Sequence, residues 1–168
     1  YDLKEIEGLF AKAVDRRFYT DVIYRAVMDI ANMPLGKFGS ESGLLKPRGL
    51  HRVYRKIFFR QRVEDLSPPV VIAATDIQTG RGVMVERGDL AEAVYASGAS
   101  YPLMPPGDVH GRKLVDGSFS SPLPVMECVK RSMDVIVGVH FDDACNSEPE
   151  GFLQCHFNAS RVFRKALL

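Results

Sequence analysis

Pro69-Val70-Val71-Ile72-Ala73-Ala74-Thr75-Asp76-Ile77 is the stretch that decides the fold. It is a run of apolar and β-branched side chains with a carboxylate near its end, the composition of a strand covered on both faces. Gln78-Thr79-Gly80-Arg81-Gly82 follows as a glycine-containing turn, and Val83-Met84-Val85 reads as a second short strand, so the pair is expected to form a hairpin. Asp89 then suits the N-cap of a helix from Leu90 to about Ser97. Tyr101 to Gly111 is rich in proline and glycine. Lys113-Leu114-Val115-Asp116 reads as a strand that ends in the turn Gly117-Ser118. Pro122 and Pro124 open a helix through Met126, Val129 and Met133. Asp134-Val135-Ile136-Val137-Gly138-Val139-His140-Phe141 is expected to be the last buried strand, and Phe157 to Leu168 a closing helix.

Upstream of the decisive stretch the texture is helical. Leu3, Ile6, Leu9, Phe10 and Ala13 recur at helical spacing, as do Val22, Ile23, Ala26, Val27 and Ile30. Pro34 and Gly36 stop the second run, and a loop follows around Gly39-Ser40-Glu41-Ser42-Gly43. A short helix from about Leu50 to Arg60 is basic, with Arg48, Arg52, Arg55, Lys56, Arg60 and Arg62 on or beside it. Such a face is ordinarily solvated, and phospholipid headgroups are the alternative occupant. Strands alternating with helices imply an α/β layered domain, and buried apolar strands favour a largely parallel sheet.

Composition narrows the function classes. The chain has 168 residues, one domain's worth, with 46% apolar and 26% charged side chains. Its 22 basic and 21 acidic residues leave a formal charge of +1, so no overall field favours nucleic acid. Cys128, Cys145 and Cys155 have no zinc spacing, and an odd count argues against a disulfide framework. That points to a reducing, cytoplasmic location. No apolar run approaches the roughly 20 residues that span a bilayer.

In an α/β sheet, functional groups gather beyond the carboxyl ends of strands. Two aspartates stand there: Asp76 near the end of the first strand, and Asp116 at the end of Leu114-Val115. Gly117 lets the backbone turn sharply beside the second carboxylate. Asp-Gly marks ordinary turns too, so the dipeptide alone decides nothing.

Its surroundings decide more. Ala74-Thr75-Asp76-Ile77-Gln78-Thr79-Gly80, Gly88-Asp89-Leu90-Ala91-Glu92-Ala93-Val94-Tyr95-Ala96-Ser97 and Pro102-Leu103-Met104-Pro105-Pro106 come in order along the chain. Gly111-Arg112-Lys113-Leu114-Val115-Asp116-Gly117-Ser118 and Pro122-Leu123-Pro124-Val125 follow. This succession resembles the bacterial patatin-like phospholipases, serine acyl hydrolases, over about 70 residues. The resemblance is loose from Tyr1 to Phe59. It implies a three-layer α/β/α domain, with residues 1–168 as its C-terminal portion and the N-terminal strands missing. It also makes Asp116 the base of a Ser-Asp dyad, with Gly117, Asp76 and Gly80 supporting the motif. Ser118 stands where the family has Gly or Ala.

A serine hydroxyl is a poor nucleophile until a base accepts its proton. In a dyad the carboxylate acts without an imidazole, so it needs partial desolvation. No nucleophile elbow G-x-S-x-G occurs in this chain: Gly39-Ser40-Glu41-Ser42-Gly43 has glutamate at its centre, and Gly98-Ala99-Ser100-Tyr101-Pro102 fails after its start. The family's glycine-rich oxyanion loop is absent as well. Both elements precede the matched blocks in this family, so the chain is expected to begin just after the elbow helix. His51, His110, His140 and His156 are dispersed, and none has the spacing of a helical metal pair. His110, nearest in sequence to Asp116, reads as a turn histidine rather than a triad base.

The resemblance implies a lipid or acyl ester substrate, peripheral membrane contact, no nucleic acid, and neither metal nor organic cofactor. The competing reading is a non-catalytic patatin-like protein that binds lipid or a partner without a nucleophile.

Overall fold

A computed structural model describes residues 2–13, 27–28, 30–31, 41–45, 47–140, 148 and 150–166. Most of the helical run expected at Val22–Ile30 and most of the loop after Leu35 lie outside the described residues, as do Phe141, Leu167 and Leu168. The chain divides into two units, Tyr1–Gly117 and Ser118–Leu168.

The first unit is organised by β1 (Ile72–Asp76). The turn after it leads into β2 (Gly82–Val85), paired antiparallel from Ile72↔Val85 to Thr75↔Gly82, which is the expected hairpin. On the other side of β1 lies β4 (Arg112–Asp116), and outside that β3 (Gly107–Val109). The order is β2-β1-β4-β3, with every neighbouring pair antiparallel.

The fold is thus mixed α/β, but the described sheet is not the largely parallel one that the apolar strands suggested. Turns of a few residues join β1 to β2 and β3 to β4, whereas a parallel pair needs a crossover of a dozen or more. β1 is also less buried than its composition implies. Ala74, Thr75 and Asp76 are buried, while Val70 and Val71 lie before the strand and stay 41% and 37% exposed. β3 emerges from the Pro/Gly-rich stretch, where only three residues pair.

Among the described residues this unit holds α1 (Leu3–Ala13), α2 (Arg48–Ile57) and α3 (Leu90–Ser97). Asp89 caps α3 as expected, its Oδ1 accepting the Glu92 N–H at 2.9 Å. Ala93 and Ala96 of α3 face Ala74, Val85, Val109 and Leu114 of the sheet, and Val63 and Leu90 complete this core. Tyr95 is buried, donates its hydroxyl to the Pro105 carbonyl at 2.8 Å and stacks on His51 with 3.9 Å between ring centroids. Burial pushes its phenol up from the usual range. His51 belongs to α2, so this stack ties α2 to α3, reinforced by Arg55 to Glu92 at 2.8 Å.

The segment before β1 is strapped to the entrance of α3. Val63 N–H donates to Gly88 C=O at 3.0 Å, and Leu90 N–H to Gln61 C=O at 3.0 Å. Glu64 finishes the strap, accepting from Gly88 N–H at 2.8 Å and Arg62 Nε at 2.7 Å.

The second unit holds α4 (Val125–Lys130) and α5 (Gly151–Ala166). α4 stops short of Met133, and Ser132 takes a left-handed φ of 54° just beyond it. α5 starts six residues earlier than the expected closing helix at Phe157. Asp134 to His140 does not form the expected buried strand: Val135, Val137 and Val139 are 80%, 81% and 69% exposed. β-branched residues favour extended backbone, but a strand exists only where a neighbour accepts its ladder. No such neighbour occurs among the described residues. Among them also, no helix is long and apolar enough to cross a membrane.

The strap has a pH signature. Its own backbone N–H, that of Gly88 and the Arg62 guanidinium hold the Glu64 carboxyl down to about 2. A depressed folded-state pKa contributes stability above the usual carboxylate range, and that contribution is lost as pH falls toward 2. Glu64→Gln is expected to lower the melting temperature at neutral pH. The gap from wild type should close between about pH 4 and 2. A gap that is constant with pH would show that the carboxylate's charge contributes nothing.

Candidate functional site

Antiparallel pairing places the two strand-end aspartates. Asp116 stands opposite Ala74 and Asp76 opposite Leu114. The β1–β4 ladder therefore carries one carboxylate toward each of its ends, and the fold does not bring them together.

Asp116 is held by its backbone. Its N–H donates to the Ala99 carbonyl at 3.0 Å, and its own carbonyl accepts from Thr75 Oγ1 at 2.9 Å. Ala99 is fully buried just past Gly98, the C-cap of α3, so the end of a helix positions the end of a strand. Ser97, the last residue of that helix, donates its hydroxyl to the Ala73 carbonyl at 2.8 Å.

Gly117 closes this arrangement. A Cβ there would collide with the Ala73 carbonyl oxygen and come within 3.2 Å of the Ala73 side chain. The turn after Asp116 is pressed against β1, and only a residue without a side chain fits. The result is a half-buried carboxylate on a backbone fixed at both its amide and its carbonyl.

Asp76 is engaged differently. Its Oδ1 accepts from Gln78 N–H at 2.9 Å and Thr79 N–H at 3.1 Å, and Arg112 Nε lies 3.7 Å from Oδ2. The Thr79 N–H above all, with the Gln78 N–H, the Thr79 hydroxyl and Arg112, holds this carboxyl below its ordinary range. A carboxylate stabilised in its ionised form is a weak proton acceptor. Asp76 closes the β1–β2 turn, in which Gly80 takes a left-handed φ of 69° and donates its N–H to the Asp76 carbonyl at 2.8 Å.

The remaining sequence candidates fall into structural places. His110 lies in the β3–β4 turn with a left-handed φ of 55°, and its Nε2 is 2.9 Å from the Arg87 carbonyl oxygen. Asp116 is at the far end of β4. Arg112 and Asp116 are four residue steps apart along the strand, roughly 13 Å. In the imperfect elbow around Glu41, Gly43 is buried, and Leu44 and Leu45 donate to the Pro102 and Leu103 carbonyls at 3.0 and 2.7 Å. Glu41 pairs with Lys113 at 3.1 Å.

Three positioning residues escaped the sequence reading: Thr75, Ser97 and Ala99. Each belongs to or adjoins a quoted block. Thr75 carried the visible signal, a hydroxyl in the middle of a buried strand, where a polar side chain must find a partner.

A comparison with known families gives this geometry its context. The family described as patatin-like phospholipase matches residues 1–129. The chain belongs to that family. Among curated proteins, it is similar to an uncharacterized NTE family protein of Mycobacterium bovis, 32% identical over 100 residues, which are 60% of this chain and 28% of that protein. An uncharacterized NTE family protein of Mycobacterium tuberculosis matches with the same identity and coverage. The chain thus spans well under a third of these relatives.

The fit of Gly117 can be measured. Gly117→Ala forces β1 and β4 apart and is expected to destabilise the fold by about 1–3 kcal/mol, as overpacking does. Gly80→Ala meets open space and only the left-handed penalty, roughly 1 kcal/mol. Urea unfolding of both variants checks the ranking. A Gly117→Ala protein as stable as wild type would remove the close approach from the account.

Proposed function

We propose that the whole protein hydrolyses the carboxylic ester of a lipid, as a phospholipase A or lysophospholipase does. Asp116 is the general base, toward a serine on a part of the domain that precedes this chain. On this reading residues 1–168 are the C-terminal portion of one patatin-like domain. The protein works in the cytoplasm at the periphery of a membrane.

One observation carries the choice of residue. Of the two strand-end aspartates, Asp76 is held in its ionised form by the amides of the turn that follows it, which makes it the weaker base, while the backbone of Asp116 is fixed at both its N–H and its carbonyl. Anchoring by the main chain fixes where the carboxylate is presented. In the proposed reaction the Asp116 carboxylate takes the serine proton as Oγ attacks the ester carbonyl. It returns that proton to the leaving alkoxide. Water, deprotonated by the same carboxylate, then attacks the acyl-serine; the acyl–Oγ bond breaks, the carboxylate returns the proton to the serine Oγ, and the fatty acid is released. Gly117 holds the turn closed, and Asp76 with Gly80 shapes the hairpin beside it.

The test uses the full-length protein on a short-chain p-nitrophenyl ester. Asp116→Asn should lower turnover by roughly 10²–10⁴ with a normal melting curve. Asp76→Asn should lose less turnover and melt earlier. An Asp116→Asn enzyme that folds normally and keeps more than about a tenth of wild-type turnover removes Asp116 from the mechanism. Full-length protein that binds lipid but shows neither turnover nor labelling by a fluorophosphonate would instead be the non-catalytic relative.

A further inference from the structure

Charge balances over the chain as a whole, 22 basic against 21 acidic residues, but not along it. From Arg48 to Val63 there are Arg48, Arg52, Arg55, Lys56, Arg60 and Arg62, and no aspartate or glutamate. α2 segregates them. Val53 is buried against the rest of the unit, with Leu50 and Ile57 half-buried, while Arg48, Arg52, Arg55 and Lys56 are exposed. Arg48, Arg52 and Arg55 follow one another at i, i+4 and i+7 on one stripe. The stripe continues to Phe59, just past the helix end and 69% exposed, with the Arg60 guanidinium 5.2 Å from its ring centre.

Beside the stripe lies an open groove of about 800 Å³, lined by Arg48, His51, Arg52, Arg55, Glu92 and Asp108. Both acids of the groove are already committed. Glu92 meets Arg55 at 2.8 Å and His51 at 3.3 Å, and Asp108 meets Lys113 at 3.1 Å. Arg48 and Arg52 have no acidic partner among the described residues. Among the described residues the groove therefore presents positive charge that no acid balances.

We propose that this face of α2 docks the protein onto the anionic surface of a lipid bilayer. Arg48 and Arg52 receive headgroup phosphates, and Phe59 enters the interfacial layer. Cations supply attraction to an anionic leaflet, and an exposed aromatic ring at the rim of the basic patch gains from partial burial there. A polyanion in solution would reward the arginines but leave Phe59 in water. The choice of a lipid surface rests on the ester-hydrolase reading, and the experiment separates the two.

Co-sedimentation of the full-length protein with phosphatidylcholine vesicles, with and without phosphatidylglycerol, measures the docking. Binding should require the anionic lipid and weaken as salt rises. Arg48→Gln with Arg52→Gln should lower partitioning roughly 30-fold, at about fivefold per cation. Arg48→Lys with Arg52→Lys should retain it. Phe59→Ala should cost about tenfold, as loss of a partly buried aromatic. All variants should melt with wild type and keep wild-type turnover on a soluble ester, because none of these residues touches the Asp116 site. Equal binding to neutral vesicles, a glutamine pair that binds like wild type, or capture by RNA with no vesicle binding would overturn the proposal. Absent turnover with intact anionic-vesicle binding would sink the hydrolase reading and leave the docking surface standing.

Discussion

The antiparallel ladder between β1 and β4 is the constraint on which the rest of the first unit depends. Ala74, Thr75 and Asp76 pair with Asp116, Val115 and Leu114, and both strands are central in the sheet. Because β1 is flanked on both edges, its last residues are buried and their polar groups must be satisfied inside. Thr75 does this with the Asp116 carbonyl, and the Ala73 carbonyl accepts from Ser97. The same contacts that satisfy a buried strand thus fix the end of its neighbour. A helix end, two strands and a turn converge on the backbone of Asp116.

Much of this was legible from the chain. Asp89 announces α3 because a carboxylate before an alanine-rich apolar run has few other roles, and the helix starts where it says. Gln78 to Gly82 between two β-branched runs gives the first hairpin. The strand ending on Asp116 followed from Lys113-Leu114-Val115 alone. Strand direction was not legible, since burial of β1 comes from its central place and from α3 above it, and a parallel setting would give the same composition. Val135 to Val139 misled for a related reason: local preference specifies extended backbone but not the partner that turns it into a strand. At the site, Asp116 and Gly117 could be picked out by resemblance, whereas the role of Ala99 could not. A backbone carbonyl has the same sequence signature wherever it points.

The chemistry available to each carboxylate follows from what its oxygens do. Asp76 and Glu64 both accept backbone amides, and both are held below their usual range by those bonds. Such groups stabilise turns and straps through charge. The proposed base is placed by amide and carbonyl contacts of its own main chain, a different division of labour between side chain and backbone. The basic stripe of α2 lies in the same unit and is likewise separated from the core by Val53, so its surface can change without disturbing the packing that positions Asp116.

The closeness of Gly117 to Ala73 has a consequence for how such a sequence drifts. Placement of the carboxylate and integrity of the sheet are a single inherited trait, because any side chain at that position breaks the second while displacing the first. A lineage that ceased to use the reaction would still be selected to keep the glycine, since its loss is penalised in every cell that needs the protein folded. On the proposed reading, the aspartate beside it is kept for the reaction as well. In a comparison of descendants, the glycine therefore records the architecture, and on the proposed reading it is variation at the neighbouring carboxylate that records the loss of the chemistry.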